Sequence, residues 1–117
     1  MGLTFIEGTV TGAGGVRRRV SFLVDSGAAY SLLPLAAWQA LGLQPKRTLT
    51  LTLADGTTIR RPVSECHISL SGQEGHTPVI LGEPGDEALL GTVTLEVLGL
   101  VLDPFKRELL PMQMRLG

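Results

Sequence analysis

Thr48-Leu49-Thr50-Leu51-Thr52-Leu53 alternates polar and apolar residues without a break and runs straight into Ala54-Asp55-Gly56-Thr57. Successive side chains on a strand point to opposite faces, so this stretch has one wet face and one apolar face. Asp-Gly between two β-rich runs is the signal of a two-residue hairpin turn. The return strand is expected over about Thr57 to Val63. Cys66-His67-Ile68-Ser69-Leu70 alternates again, Ser71 to Gly75 reads as a turn, and Thr77 to Leu81 as another short strand. Leu3 to Val10 and Val16 to Val24 make a second hairpin around Gly12-Ala13-Gly14-Gly15. No helix pattern or Lys-Ser/Thr pair follows those glycines, so they read as a turn rather than a phosphate cradle.

Helical spacing occurs twice. Pro34 to Leu41 places Leu35, Trp38 and Leu41 on one face, with Pro34 suited to a first helical position and Gly42 to a C-terminal cap. Thr92 to Leu98 follows the apolar strand Ala88-Leu89-Leu90-Gly91, with Thr92 as N-cap and Gly99 as C-terminal cap. Glu108 to Met112 reads as a last short strand. The sum is a mainly β chain, a closed barrel or sandwich with one or two short helices, expected as one domain over residues 1–117.

Composition narrows the classes of function. Apolar residues are 44% and charged residues 18% of the 117, which excludes disorder and leaves material for an interface as well as a core. Net charge is -1, aromatics are 4%, and the one dense basic cluster, Arg17-Arg18-Arg19, reads as a solvated strand end. No nucleic-acid partner is expected. Cys66 stands alone, so no intrachain disulfide forms, which fits a reducing, cytoplasmic setting. Met1 to Glu7 lacks the basic and long apolar regions of a secretory signal, and Ile6 stands where a myristoylation motif takes Ser or Thr. No apolar stretch approaches the ~18 residues needed for a membrane span, so no membrane partner is expected.

Asp25-Ser26-Gly27-Ala28 occurs once, directly after the apolar run Val20-Ser21-Phe22-Leu23-Val24 and shortly before Leu32-Leu33. Asp, Ser and Gly are turn formers, and taken alone the motif is a turn. Its position at the end of a buried strand makes it also a way to present one carboxylate in a tight loop. Asp55, Asp86 and Asp103 lack the following Ser-Gly. Cys66 and His67 are adjacent on a strand and face opposite ways, which argues against a joint metal site or a Cys-His pair. His76 lies in a turn. Ser26 and Ser31 lack a positioned base for serine nucleophile chemistry. Glu65 and Glu96 read as surface charges.

Val24-Asp25-Ser26-Gly27-Ala28 resembles the active-site signature of the retropepsin-like aspartic proteases, and Leu89-Leu90-Gly91 before a helix resembles their second signature. The Asp55-Gly56 hairpin lies between them, where that family places its flap. The resemblance implies a closed acid-protease barrel and an aspartic endopeptidase without metal or cofactor. It implies a homodimer, since one chain supplies one Asp25, acting on protein or peptide substrates. By the same resemblance Asp25 is catalytic, and Ser26, Gly27, Leu89, Leu90 and Gly91 support it. Gly27, Ala28, Ala54, Asp55, Gly56 and Thr57 then contact substrate. The flap tip here has one glycine where viral members have several. Ala29 and Thr92 stand where viral members carry an acid and an arginine that pair. The family's sheet of interleaved termini falls here on Leu3 to Ile6 and Leu109 to Met112, with Pro111 at an edge. The alternatives are a retropepsin-like dimerisation or peptide-binding module without catalysis, and an unrelated small barrel with a chance Asp-Ser-Gly turn.

Overall fold

A computed structural model describes residues 2–113 of the chain. In chain order its elements are β1 (Phe5–Thr11), β2 (Arg17–Val24), β3 (Ser31–Leu33), α1 (Leu35–Ala40), β4 (Arg47–Thr52), β5 (Thr58–Leu70), β6 (Gln73–Leu81), β7 (Leu89–Leu90), α2 (Thr92–Leu98), β8 (Leu100–Asp103) and β9 (Glu108–Pro111). The fold is mainly β with two short helices, as the patterning anticipates.

Seven strands form one sheet in the order β1-β2-β7-β3-β6-β5-β4. Antiparallel pairing of Thr9–Thr11 with His67–Ser69 joins β1 to β5 and closes a six-strand ring, outside which β4 stands as the arm of a hairpin. β8 and β9 make a separate two-stranded hairpin. The interior is one cluster drawn from every part of the ring and both helices, including Val10, Phe22, Leu33, Ile68, Leu81, Leu90, Leu95 and Leu100. Phe22 is fully buried; a side chain of that size contributes about 2–3 kcal/mol through burial.

Local chemistry sets the boundaries. α1 ends in a Schellman motif: Leu43 N–H donates to Trp38 O at 3.1 Å and Gly42 N–H to Gln39 O at 3.0 Å, with Gly42 at φ 69°. Pro34 is the N-cap of α1 rather than its first helical residue. Trp38 packs against the core and donates Nε1–H to Gly82 O at 2.9 Å.

Several sequence expectations shift by a residue or two. The return arm of the hairpin and the Cys66–Leu70 strand are one strand of 13 residues. Pro62 does not interrupt it, because it lies just beyond the Val63–Ile80 pair that opens the β5–β6 ladder. The β5–β6 turn is only Ser71-Gly72, both at positive φ (49° and 78°), and Gln73 to Gly75 already belong to β6. At the β4–β5 tip Gly56 N–H donates to Leu53 O at 3.0 Å with Gly56 at φ 88°, and Leu53 N–H donates to Thr57 O at 2.7 Å. The loop therefore has three residues, Ala54-Asp55-Gly56, with a left-handed glycine, instead of two. The N-cap of α2 is Gly91, not Thr92.

Candidate active site

β2 carries the chain outward from the core and delivers Asp25 at its end. Asp25 is held at once from the side: its N–H donates to Leu90 O at 3.0 Å. That carbonyl belongs to β7, which lies between β2, parallel with Val24 opposite Leu90, and β3, antiparallel with Leu32 opposite Leu89. Two residues suffice for this central strand because both are apolar and flanked on each side. Leu90 is fully buried.

The loop from Asp25 to Tyr30 is then clamped onto α2. Ala28 N–H donates to Asp25 O at 3.1 Å, closing a tight turn. Ala28 O accepts Thr92 N–H and Ala29 O accepts Val93 N–H, each at 2.9 Å. These are among the N–H groups that a helix start leaves without partners. The loop carbonyls cap the first two N–H groups of the helix in place of a side chain. Gly91 is required by contact: an added Cβ would lie 2.6 Å from Ala29 O and from Tyr30 C, both backbone atoms. Gly91 thus lets helix and loop touch.

Asp25 is half-buried, and its Oδ1 accepts Gly27 N–H at 2.9 Å. Its Oδ2 has no protein partner among the described residues. The other aspartates are each committed to their own loops. The Thr57 hydroxyl and N–H both donate to Asp55 Oδ1 and hold its carboxyl below the usual range. Asp86 Oδ2 accepts Glu83 N–H at 2.8 Å and lies 3.3 Å from Arg61 Nη1. Asp103 Oδ1 accepts the N–H groups of Phe105 and Lys106. Asp103 also stands at a strand end, that of β8, but no described acid other than Asp25 is backed by the β7 crossing.

Between the Asp25 loop and the β4–β5 hairpin lies a cleft of about 340 Å³. Leu32, Ile80 and Leu89 form its floor, Ala28, Ala29 and Tyr30 one wall, and Leu51, Leu53 and Ile59 the hairpin side. Leu51 and Leu53 of the alternating strand therefore line this space with Thr52 between them, while Thr48 and Thr50 stay exposed outside it. Its rim carries Arg61, paired with Glu83 at 2.7 Å as well as with Asp86, and Tyr30, whose hydroxyl accepts a hydrogen bond from Arg47 at 3.3 Å. A larger hollow of about 510 Å³ between Arg18–Ser21 and Ala36–Ala37 does not reach Asp25. The apolar cleft is the better candidate because it is continuous with the aspartate loop.

Of the residues the sequence nominates, Asp25, Leu89, Leu90 and Gly91 come together at this crossing of strands. Ala28 borders the cleft; Gly27 faces Asp25 rather than the cleft. Ala54, Asp55, Gly56 and Thr57 lie at the hairpin tip, beyond the cleft lining. Ser26 is exposed and borders a separate apolar hollow of about 260 Å³ with Leu95, Leu100, Val101, Leu102 and Met112. Sequence reasoning missed Leu51, Leu53 and Ile59 as cleft residues, although the Thr-Leu alternation carried that signal. It also missed Thr94 and Thr77, two buried hydroxyls beside Ser31.

The other reactive side chains stand apart. Cys66 is buried, and burial, followed by the nearby Glu65 charge, pushes its thiol up to about 12. His67 lies across the strands from His76 with ring centroids 5.3 Å apart, and faces away from the Cys66 side. Among the described residues no three potential metal ligands cluster. No described helix is long and apolar enough to cross a membrane.

Comparison with known proteins agrees with this geometry. Residues 6–94 match a family model described as aspartyl protease. No curated protein matches the chain at the sequence level. Among solved structures, the solution structure of the simian foamy virus (mac) protease superposes with a TM-score of 0.56 at 20% identity. The match covers 79% of this chain and 91% of that one, a likeness of fold.

Proposed function

The chain belongs to the aspartyl protease family, and from that premise we propose that it is an aspartic endopeptidase whose site is completed by a second copy of itself. The observation that carries this is Asp25, held by Leu90 O at the strand crossing with no comparable acid elsewhere in the described chain. Two-fold pairing supplies the second carboxylate as Asp25 of the partner subunit.

The chemistry follows from the pair. Two carboxylates ~4 Å apart repel by ~4 kcal/mol at an effective dielectric of 20. That separates their ionisations by roughly three pKa units, so the pair keeps one proton over a wide pH range. The charged member takes a proton from a bound water as that water attacks the peptide carbonyl, and the protonated member donates to the carbonyl oxygen. The titrations belong to the pair and not to either residue. Peptide lies extended in the cleft, with an apolar side chain against Leu32, Ile80 and Leu89 and the β4–β5 hairpin closing over it to exclude water. Ser26 bonds across the two-fold axis to the facing loop and holds the carboxylates close.

Surface chemistry supports the second copy. Val101, beside Ser26 at the apolar hollow, and Leu3 and Phe105, which border the neighbouring hollow that shares Leu102 and Pro104 with it, are all exposed, Phe105 to 96%. Unpartnered apolar surface of this kind marks an interface. Replacing Asp25 by Asn is expected to abolish cleavage of a peptide library between pH 3 and 8 while circular dichroism and sedimentation stay unchanged. Cleavage that survives Asp25→Asn removes the assignment. A dimer that binds peptides but never cuts them favours the non-catalytic module, and a strict monomer counts against both.

A further inference from the structure

Behind the Asp25 loop runs a line of buried hydroxyls. Ser31 Oγ accepts Gly91 N–H at 3.0 Å and lies 2.6 Å from Thr94 Oγ1. Thr94 Oγ1 lies 2.7 Å from Thr77 Oγ1, and Thr77 donates to Pro78 O at 3.3 Å. Ser31 and Thr94 are fully buried and Thr77 is 1% exposed. These atoms join the start of α2, the strand that leaves the Asp25 loop, the body of α2 and β6.

Proton counting gives the line a direction. Each hydroxyl has one proton to donate. Pro78 O has none, so the Thr77 proton points to it. Thr77 must then receive the Thr94 proton, and Thr94 the Ser31 proton. Ser31 is left to accept from Gly91. This one arrangement makes all four bonds, and no buried side-chain polar atom in the described chain lacks a partner. Hydrogen bonds in a line of one polarity strengthen one another in a dry interior. With every hydroxyl committed, Ser31 is a structural donor and not a nucleophile.

The same segments hold the aspartate. Gly91 follows Leu90, whose carbonyl accepts Asp25 N–H, and precedes Thr92 and Val93, whose N–H groups hold Ala28 O and Ala29 O. Ser31 ends the loop that Asp25 begins. We infer that Thr94 is a positioning residue for the Asp25 carboxylate. It acts through Ser31 and Gly91 to fix the loop at the spacing that the two-carboxylate chemistry needs. This rests on the protease reading. It assigns the fine placement of Asp25 to a residue of α2 that touches neither substrate nor the carboxylate.

The test uses the full chain with Thr94→Val, which keeps shape and removes the hydroxyl, and Thr94→Ser, which restores it. Misplacing a reacting group by a fraction of an ångström to 1 Å costs on the order of 10- to 100-fold. Thr94→Val is therefore expected to lower kcat by about that factor with KM changed less than about threefold, and Thr94→Ser to recover most of it. Asp25 Cγ, followed by NMR against pH, is expected to titrate differently in Thr94→Val and as wild type in Thr94→Ser. Wild-type kcat and an unchanged Asp25 titration in folded Thr94→Val overturn the inference. If the wild-type protein cleaves nothing, the protease reading fails, and the Asp25 titration still decides the positioning role. If Thr94→Val does not fold, Thr77→Val, at the far end of the line, takes its place with the same readouts.

Discussion

Gly91 is where loop, strand and helix meet, and no side chain fits there. Replacing it by Ala would drive Cβ into Ala29 O and the Tyr30 backbone, which have no rotamer to yield. Overpacking of this kind costs about 1–3 kcal/mol. Gly91→Ala is expected to lower the urea midpoint accordingly and to reduce cleavage by more than the unfolded fraction explains. Cys66 gives a second residue-level expectation. Its thiol is raised from an ordinary 9.0 to about 12 in the folded chain. Below about pH 9 both states hold the proton, and above it only the folded state does, so stability falls as pH rises from 9 to 12. The loss reaches roughly 4 kcal/mol at the top of that range. Urea titrations of wild type and Cys66→Ala across it are expected to converge, because the variant lacks this slope. At this scale the sequence was legible where chemistry is local. Asp25-Ser26-Gly27 announces itself within four residues. Thr94 does not, because its partners Thr77 and Ser31 lie 17 and 63 positions away and only folding brings them together.

At the scale of elements, turns carry the most testable detail. Ser71 and Gly72 stand at φ 49° and 78°, the two left-handed positions of a type I′ turn, and serine suits the first poorly. Ser71→Asn is expected to raise stability by about 0.5 kcal/mol, read as a higher melting temperature with no change in cleavage. Gly56 at φ 88° anchors the β4–β5 tip, and Gly56→Ala is expected to cost about 1 kcal/mol locally. Its effect should fall on hairpin closure, raising KM more than it lowers stability. Strand existence was readable from period-two alternation in Thr48 to Leu53 and Cys66 to Leu70. Turn size was not: Asp55-Gly56 signals a hairpin equally well with two or three loop residues, and strand twist settles which. The cap of α2 was misassigned to Thr92 for a similar reason, since a neighbouring loop supplies the carbonyls that a side chain would otherwise provide.

For the whole molecule, the sheet order β1-β2-β7-β3-β6-β5-β4 closed by the β1–β5 pairing was only partly foreseeable. A closed β architecture follows from many short strands, but the insertion of a two-residue strand between β2 and β3 depends on pairings that no local pattern encodes. The exposed apolar surface predicts association: melting temperature is expected to rise with protein concentration. Val101→Glu, beside Ser26, is expected to give a folded monomer in sedimentation with little cleavage. The insertion of Leu89-Leu90 between strands laid down some 60 residues earlier also orders events in time. Contacts of such long separation form late, since the loop must close before they reward it. A nascent chain that has emerged only to Glu87 carries Asp25 but has nothing to seat it against. Asp25 is thus expected to stay unseated during synthesis until Leu89 to Gly91 have left the ribosome.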